Sequence, residues 1–516
     1  MNTENKLDNY LQNKIFLFLG IIIIISIFTR VFFLPFDTPF KTDAIDYFTF
    51  AIEISKTNQF PTGILKTSDG WSLLLSPIFS IIGTTDIMTL VNAQRITSII
   101  ISSLTIIPVY FLCKKFVSPK YAIIGAGLFG FNHRLMENSI LGLTESLFLF
   151  FMTLVLFFSL SKNSKFYIIS FIFLGLASIT RYEALLFVIP LSIIFFIRFR
   201  KTKNSYLKFP LFIFIFILIL LPVASLRLDS NDMDGFTSHY VKFSMTEKYP
   251  AIVETETNDS SQIERSFISI SLINALKFLG LASLPFFIFF IPTGIFNLIK
   301  KRNTDIFYLL FFGIFLILPA IYAYGRDFQE VRYLFILFPI FCVISTYGLS
   351  IIKKSDKTGF IILILAVLIF SSLILLNYEQ PDHQYYSEIY QITRDIVKDA
   401  NGVNGYPGSS YLKLATLEAF WPNPLLLDQY GKASSNVKII SSSSYVSIED
   451  YIINSKKSNL THIVLTENNR SQILDNLMLN YDEYPYLEKI IDSDDYNFKN
   501  KIIVLKINYS IFDNLA

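Results

Sequence analysis

IFLFLGIIIIISIFTRVFFLPFDTPFKTDAID, residues 15–46, opens as an unbroken apolar run and closes on two aspartates three positions apart. A helix in lipid needs about 20 mostly apolar residues, and 15–35 supplies them. The apolar core of a cleavable signal peptide is roughly 7–15 residues and ends at small residues. This run is longer and ends on Arg30-Val-Phe-Phe-Leu-Pro35, so it is read as a retained first span, with Asp43 and Asp46 just beyond its end.

The same pattern recurs along the chain. Apolar segments at 90–112, 121–132, 140–160, 166–180, 184–198, 209–227, 273–299, 305–324, 333–351 and 359–377 bring the expectation to about eleven spans by the length rule. Arg181 and Glu183 interrupt 166–198 in its middle. Charges at mid-bilayer depth are costly, so two short helices meeting at the membrane surface are predicted there. Hydrophobic residues make up 52% of the 516 residues and charged ones 16%, with a mean hydropathy of +0.49. A soluble domain carries nearer a quarter charged residues.

The net charge of +3 conceals a segregation. Lys114, Lys115 and Lys120, then Lys162 and Lys165, then Arg198 to Lys208, Lys300 to Arg302, and Lys353 to Lys357 all fall on one side when spans are counted alternately. That is the positive-inside pattern. It predicts a cytoplasmic N-terminus, an extracytoplasmic C-terminus and a multi-pass protein of the cell membrane. The basic clusters sit at the ends of apolar runs and not in a patch that would grip nucleic acid.

From about residue 379 the composition turns soluble. A helix at 385–399, strand-like 411–416 and 437–441, a helix at 447–457, a strand at 461–466, a helix at 470–480 and strands at 486–491 and 501–507 predict a small α/β domain. The expected division is therefore a membrane domain, 1–378, and an extracytoplasmic α/β domain, 379–516. Cys113 and Cys342 lie inside apolar runs and read as packed thiols. The four histidines lack ligand spacing.

Four groups of ionisable residues fall at the extracytoplasmic ends of spans: Lys41 to Asp46; His133 to Glu145; Thr180 to Glu183; and Tyr324 to Tyr333, which includes Arg326, Glu330 and Arg332. A carboxylate there can serve as a general base, and an arginine can bind phosphate with paired donors. Against this, Asp69 and Asp86 read as solvated loop residues, and Arg181 and Glu183 can simply pair with each other. Glu145, at the edge of an apolar run, carries a stronger functional expectation.

The order of TDAIDYFTFA (42–51), GLTESLFLF (142–150), GLASITRYEALLFVIP (175–190) and RYLFILFPI (332–340) resembles the C-type glycosyltransferase (GT-C) superfamily, which includes protein O-mannosyltransferases, aminoarabinose transferases and oligosaccharyltransferase catalytic subunits. The resemblance covers about residues 15–350. It implies a glycosyltransferase moving a hexosyl or pentosyl group from a polyprenyl (dolichyl) phosphate, with inversion, to a protein, lipid or glycan acceptor outside the cytoplasm. It further implies Asp43 as catalytic carboxylate with Asp46 second, and Arg332, Arg326 and Arg181 at the donor phosphate. Glu145, with Glu183, would position substrate. The paired Asp-Glu of many mannosyltransferases and the WWD-type motif of oligosaccharyltransferases are absent, which favours a monosaccharide transferase. No metal ligand is assigned, and a divalent metal stays open. Low Gly and Ala with high Ile, Lys and Asn suggest an A/T-rich genome, and the style of the C-terminal domain suggests an archaeal source. A lipid-linked sugar flippase is the alternative, but such a carrier would show repeated halves with broken helices at the midplane, and no repeat is found.

Overall fold

The computed structural model describes residues 3–40, 43–61, 69–84, 86–201, 205–231, 234–236, 267–300, 304–352, 358–379, 381–420, 437–467, 469 and 471–515. Lys41 and the basic residues of 301–303 and 353–357 lie outside these. The chain packs as two units: Met1–Leu34, Leu65–Leu73 and Arg95–Glu379 form one, and Pro35–Ile64, Leu74–Gln94 and Gln380–Ala516 the other. Two segments between the first and second predicted spans thus pack with the C-terminal part of the chain.

Each of the predicted apolar segments is helical, and the protein is an integral membrane protein. Among the described residues seven helices can cross a bilayer by length and composition, or eight if the pair Phe267–Ser283 and Phe287–Lys300, bent by 105°, is one span. The difference from about eleven lies in helices such as Pro119–Gly130, Glu145–Ser159 and Ser164–Thr180, which are shorter than the about 20 residues a full crossing needs. Helix Asp69–Ile82, unforeseen in the sequence, is a further short apolar one. Phe16, Phe28, Phe214 and Phe370 are well exposed on their helices, as lipid-facing side chains are.

Small residues set the closest helix contacts. Gly294 of helix Phe287–Lys300 faces Ile344 of helix Phe338–Ile352; a β-carbon there would lie 2.2 Å from the Ile344 carbonyl oxygen. Backbones can approach this closely in lipid only where no side chain intervenes. Polar groups turn inward. Arg30, fully buried in the first span, donates from Nε to Ser139 Oγ at 3.0 Å and from Nη1 to the Ser26 carbonyl at 3.1 Å. Cys113 and Cys342 are buried free thiols.

The second unit contains a five-stranded mixed sheet of β1 (Gly402–Asn404), β2 (Lys438–Ile440), β3 (His462–Thr466), β4 (Leu487–Asp492) and β5 (Ile502–Ile507), in the order β2-β1-β3-β5-β4. β1 runs parallel to β2 and β3, whereas β5 is antiparallel to β3 and β4. β3 is buried along its whole length. Residues 411–416, expected as a strand, instead form the end of a 3-10 turn and the start of helix Leu412–Phe420. Tyr411, Leu412, Leu414 and Ala415 are the buried positions, a helical spacing that the short run YLKLAT could not separate from alternation. β1 supplies the strand instead. Its Asn404 side chain is buried and pairs with the Val464 backbone, donating to the carbonyl at 2.8 Å and accepting from N–H at 2.7 Å.

Helix Asp43–Thr57 belongs to this unit and buries Ala44, Ile45, Phe48 and Ile52. The Phe48 ring packs edge-on against Phe40 and Phe79 at 5.4 and 5.5 Å. Asp43 and Asp46 occupy its first turn, where the helix dipole favours negative charge.

Candidate active site

Three chain breaks in the first unit bring charged residues together. The chain turns at Gly142, with φ +73°, a conformation that costs glycine nothing, and helix Glu145–Ser159 begins three residues later. Helix Ser164–Thr180 stops at Arg181, whose extended backbone (φ −148°, ψ 124°) leads into the 3-10 turn Tyr182–Phe187. A second 3-10 turn, Val331–Leu337, carries Arg332 before helix Phe338–Ile352. The RYE and RYL motifs thus sit at helix breaks, as their charges require.

Glu145 is buried, 3% exposed. Its Oε1 accepts from Arg181 Nη1 at 2.7 Å and lies 3.7 Å from Arg332 Nη1. Its Oε2 is buried without a hydrogen-bond partner among the described residues. Arg181 also donates from Nη2 to Glu183 Oε1 at 2.8 Å, so the pairing expected of those two exists, but as one arm of a larger cluster. Arg332 is paired with Glu330. The Arg181 guanidinium lies 5.7 Å from the Phe148 ring and that of Arg332 5.7 Å from the Tyr333 ring.

Glu145, Arg181, Glu183, Arg332, Phe148 and Tyr333 line a narrow, partly open cleft of about 30 Å³, walled also by Leu316, Pro319 and Phe335. Two fixed guanidiniums can bind an anion, a buried carboxylate oxygen can accept from a hydroxyl, and apolar walls raise the strength of both. Arg326 is not part of this wall. It is exposed, donating to the Tyr322 hydroxyl at 3.2 Å. In the second unit Asp46 Oδ1 accepts from Lys413 Nζ at 2.7 Å.

Asp69 is a correction. It is buried, not solvated, and both its oxygens are bound by Arg227. Its partner lies 158 residues away, which no local pattern could reveal. Asp86 is exposed and accepts from the N–H groups of Met88 and Thr89. Phe148 and Tyr333, which also line the pocket, lie in the GLTESLFLF and RYLFILFPI stretches but carried no role of their own in the sequence. Among the described residues no three His, Cys, Asp or Glu side chains converge on a metal-sized site.

The family described as dolichyl-phosphate-mannose-protein mannosyltransferase matches residues 75–225, which include Glu145, Arg181 and Glu183. No curated protein matches the chain in sequence. Among solved structures, an Archaeoglobus fulgidus oligosaccharyltransferase in complex with zinc and sulfate is similar with a TM-score of 0.57 at 16% identity, over 87% of this chain and 67% of that one. The archaeal oligosaccharyltransferase AglB from the same organism, in complex with an inhibitory peptide and a dolichol-phosphate, gives 0.54 at 13% identity over 88% and 70%. ArnT from Cupriavidus metallidurans bound to undecaprenyl phosphate gives 0.53 at 10% identity over 96% and 98%. The chain has the GT-C fold.

Proposed function

We propose that this GT-C-fold chain is a membrane glycosyltransferase. It moves a sugar from a polyprenyl-phosphate donor to a hydroxyl or amide acceptor on a protein, lipid or glycan at the extracytoplasmic face. The observation that carries the proposal is the convergence of Arg181 and Arg332 on the half-satisfied carboxylate of Glu145, in a fold whose solved members include complexes with dolichol-phosphate and undecaprenyl phosphate.

In the reaction the acceptor heteroatom attacks the anomeric carbon from the face opposite the phosphate, giving inversion. The carbon–oxygen bond to phosphate breaks, and its electron pair stays on the phosphate oxygen. Arg332 and Arg181 stabilise that charge. The acceptor proton passes to a carboxylate, a role given to Asp43 because TDAID matches the family's acidic motif in position. Asp46 serves beside it, held by Lys413. Oε2 of Glu145 accepts from a sugar hydroxyl. No step is assigned to a metal.

The pocket's own charge shapes donor binding. Among the described residues Glu145, Glu183 and Glu330 pair with Arg181 and Arg332, so an arriving phosphate competes with carboxylates for the same guanidiniums. Glu330, with 52% of its side chain exposed, loses least by swinging into water. The membrane topology belongs to the same reading: N-terminus in the cytoplasm, C-terminus outside.

The test is transfer by the purified protein in lipid nanodiscs, supplied with radiolabelled dolichyl-phosphate mannose and glucose and a mixture of peptide and glycolipid acceptors. Release of dolichyl phosphate together with labelled acceptor supports the proposal. Movement of labelled lipid across vesicles with no bond broken would replace it with the flippase reading.

A further inference from the structure

Asp69-Gly70-Trp71 contributes nothing to the pocket wall, yet each of its residues grips an element of the same unit that carries the cluster or anchors it. The Trp71 side chain is fully buried, and its Nε1–H donates to the Gly142 carbonyl at 3.0 Å. Gly142 is the pivot from which the chain reaches Glu145. Gly70 lies against Thr180: a β-carbon on it would come within 2.9 Å of Thr180 Cα, N and Oγ1. Thr180 ends its helix, and the next residue is Arg181. The two gripped turns also meet each other, Thr144 Oγ1 donating to the Thr180 carbonyl at 3.5 Å.

Asp69 supplies the anchor. Arg227 binds it with Nε and Nη2, one donor to each oxygen, and both side chains are 5% exposed. Gly235, at φ +75°, lays its backbone over Arg227 where a β-carbon would meet Cδ and Nε. A buried fork-to-fork pair fixes direction as well as distance, and it cannot be opened without leaving an uncompensated charge.

We infer that Asp69-Gly70-Trp71, locked by Arg227, is the positioning element that sets Glu145 against Arg181 and so governs affinity for the donor's lipid phosphate. The inference rests on the proposed assignment of that phosphate to Arg181 and Arg332. It follows from which atoms are in contact. The atoms facing Gly70 include main-chain N and Cα, which cannot rotate away, so a methyl group at residue 70 must displace the backbone next to Arg181. Displacing a positioned group by about 1 Å can cost up to about 100-fold.

The test measures affinity for undecaprenyl phosphate and the melting temperature on the purified full-length protein and three variants. Gly70→Ala should weaken binding by about tenfold or more. Trp71→Phe, which removes one hydrogen bond and keeps the ring packing, should weaken it by about three- to tenfold with little change in melting temperature. Gly280→Ala is the control, since nothing lies within 4 Å of its added β-carbon, and it should bind as wild type does. A purely structural role would lower the melting temperature and leave the affinity of the folded protein within twofold of wild type; that result overturns the inference. Should Gly70→Ala not fold, Trp71→Phe decides by the same criterion. A wild-type protein that binds no undecaprenyl phosphate removes the donor assignment and this inference together. Binding that Arg332→Ala abolishes while Trp71→Phe leaves it intact removes this inference alone.

Discussion

Helices Glu145–Ser159 and Asp43–Thr57 both begin on a carboxylate, and the surroundings of the two starts differ in kind. At the first, Glu145 is buried, bound by one arginine and approached by a second, with one oxygen left over. At the second, Asp46 meets Lys413 across a pair whose lysine is 43% exposed. The helix dipole favours both starts equally. Burial separates them. An exposed ion pair contributes about 0–1 kcal/mol, whereas removing one partner of a buried pair costs about 3–5 kcal/mol because the other charge is stranded. On the proposed function the first start serves to bind donor, whereas the second holds a half-buried carboxylate against a partly exposed lysine.

That difference can be broken in order of size. Asp43→Asn should lower the rate of sugar transfer by about 10²- to 10⁴-fold, the usual weight of a general base, while binding of undecaprenyl phosphate stays within twofold. An equal loss of both would move Asp43 into the donor site. Glu330→Gln should have a smaller effect of opposite sign. Removing the exposed carboxylate that competes for Arg332 should tighten lipid-phosphate binding by roughly three- to tenfold, as read by equilibrium titration.

A third prediction carries the rule about burial into the sheet. His462 is fully buried in β3. Burial, helped by the Lys506 charge, pulls its imidazole pKa down to about 4. The unfolded chain takes up this proton near pH 6.5, and the folded one refuses it. The stability is thus complete above pH 6.5 and is lost as pH falls towards 4. Hydrogen-exchange protection of His462–Thr466 should decline between pH 7 and pH 5, and His462→Gln should flatten that decline. An unchanged slope in the variant would show that another group sets it.

Much of the fold was legible in the sequence because the bilayer imposes a coarse rule. The long apolar runs became helices, and Arg181 and Arg332 marked helix breaks because a charge within a span is costly. Glu145, Arg181, Glu183 and Arg332 could be brought together on paper, since each stands at the end of its own span. What escaped was long-range. Asp69 looked solvated because Arg227 is distant in sequence, and the packing of Pro35–Ile64 and Leu74–Gln94 with the C-terminal part of the chain leaves no trace in hydropathy. Arg326 and Arg332 looked alike as neighbours in one loop, but the turn at Asp327, with φ +62°, intervenes. Arg332 enters the pocket and Arg326 stacks on Tyr322 in solvent.

The central assignment places the donor phosphate on Arg332 and Arg181, with a sugar hydroxyl on Glu145. Its most direct test is the affinity of purified wild-type, Arg332→Ala and Asp43→Asn proteins for undecaprenyl phosphate at one salt concentration. On this assignment Arg332→Ala should lose about 10- to 100-fold, as expected for charge-assisted hydrogen bonds to a phosphate, while Asp43→Asn binds like wild type. Wild-type affinity in Arg332→Ala would contradict it.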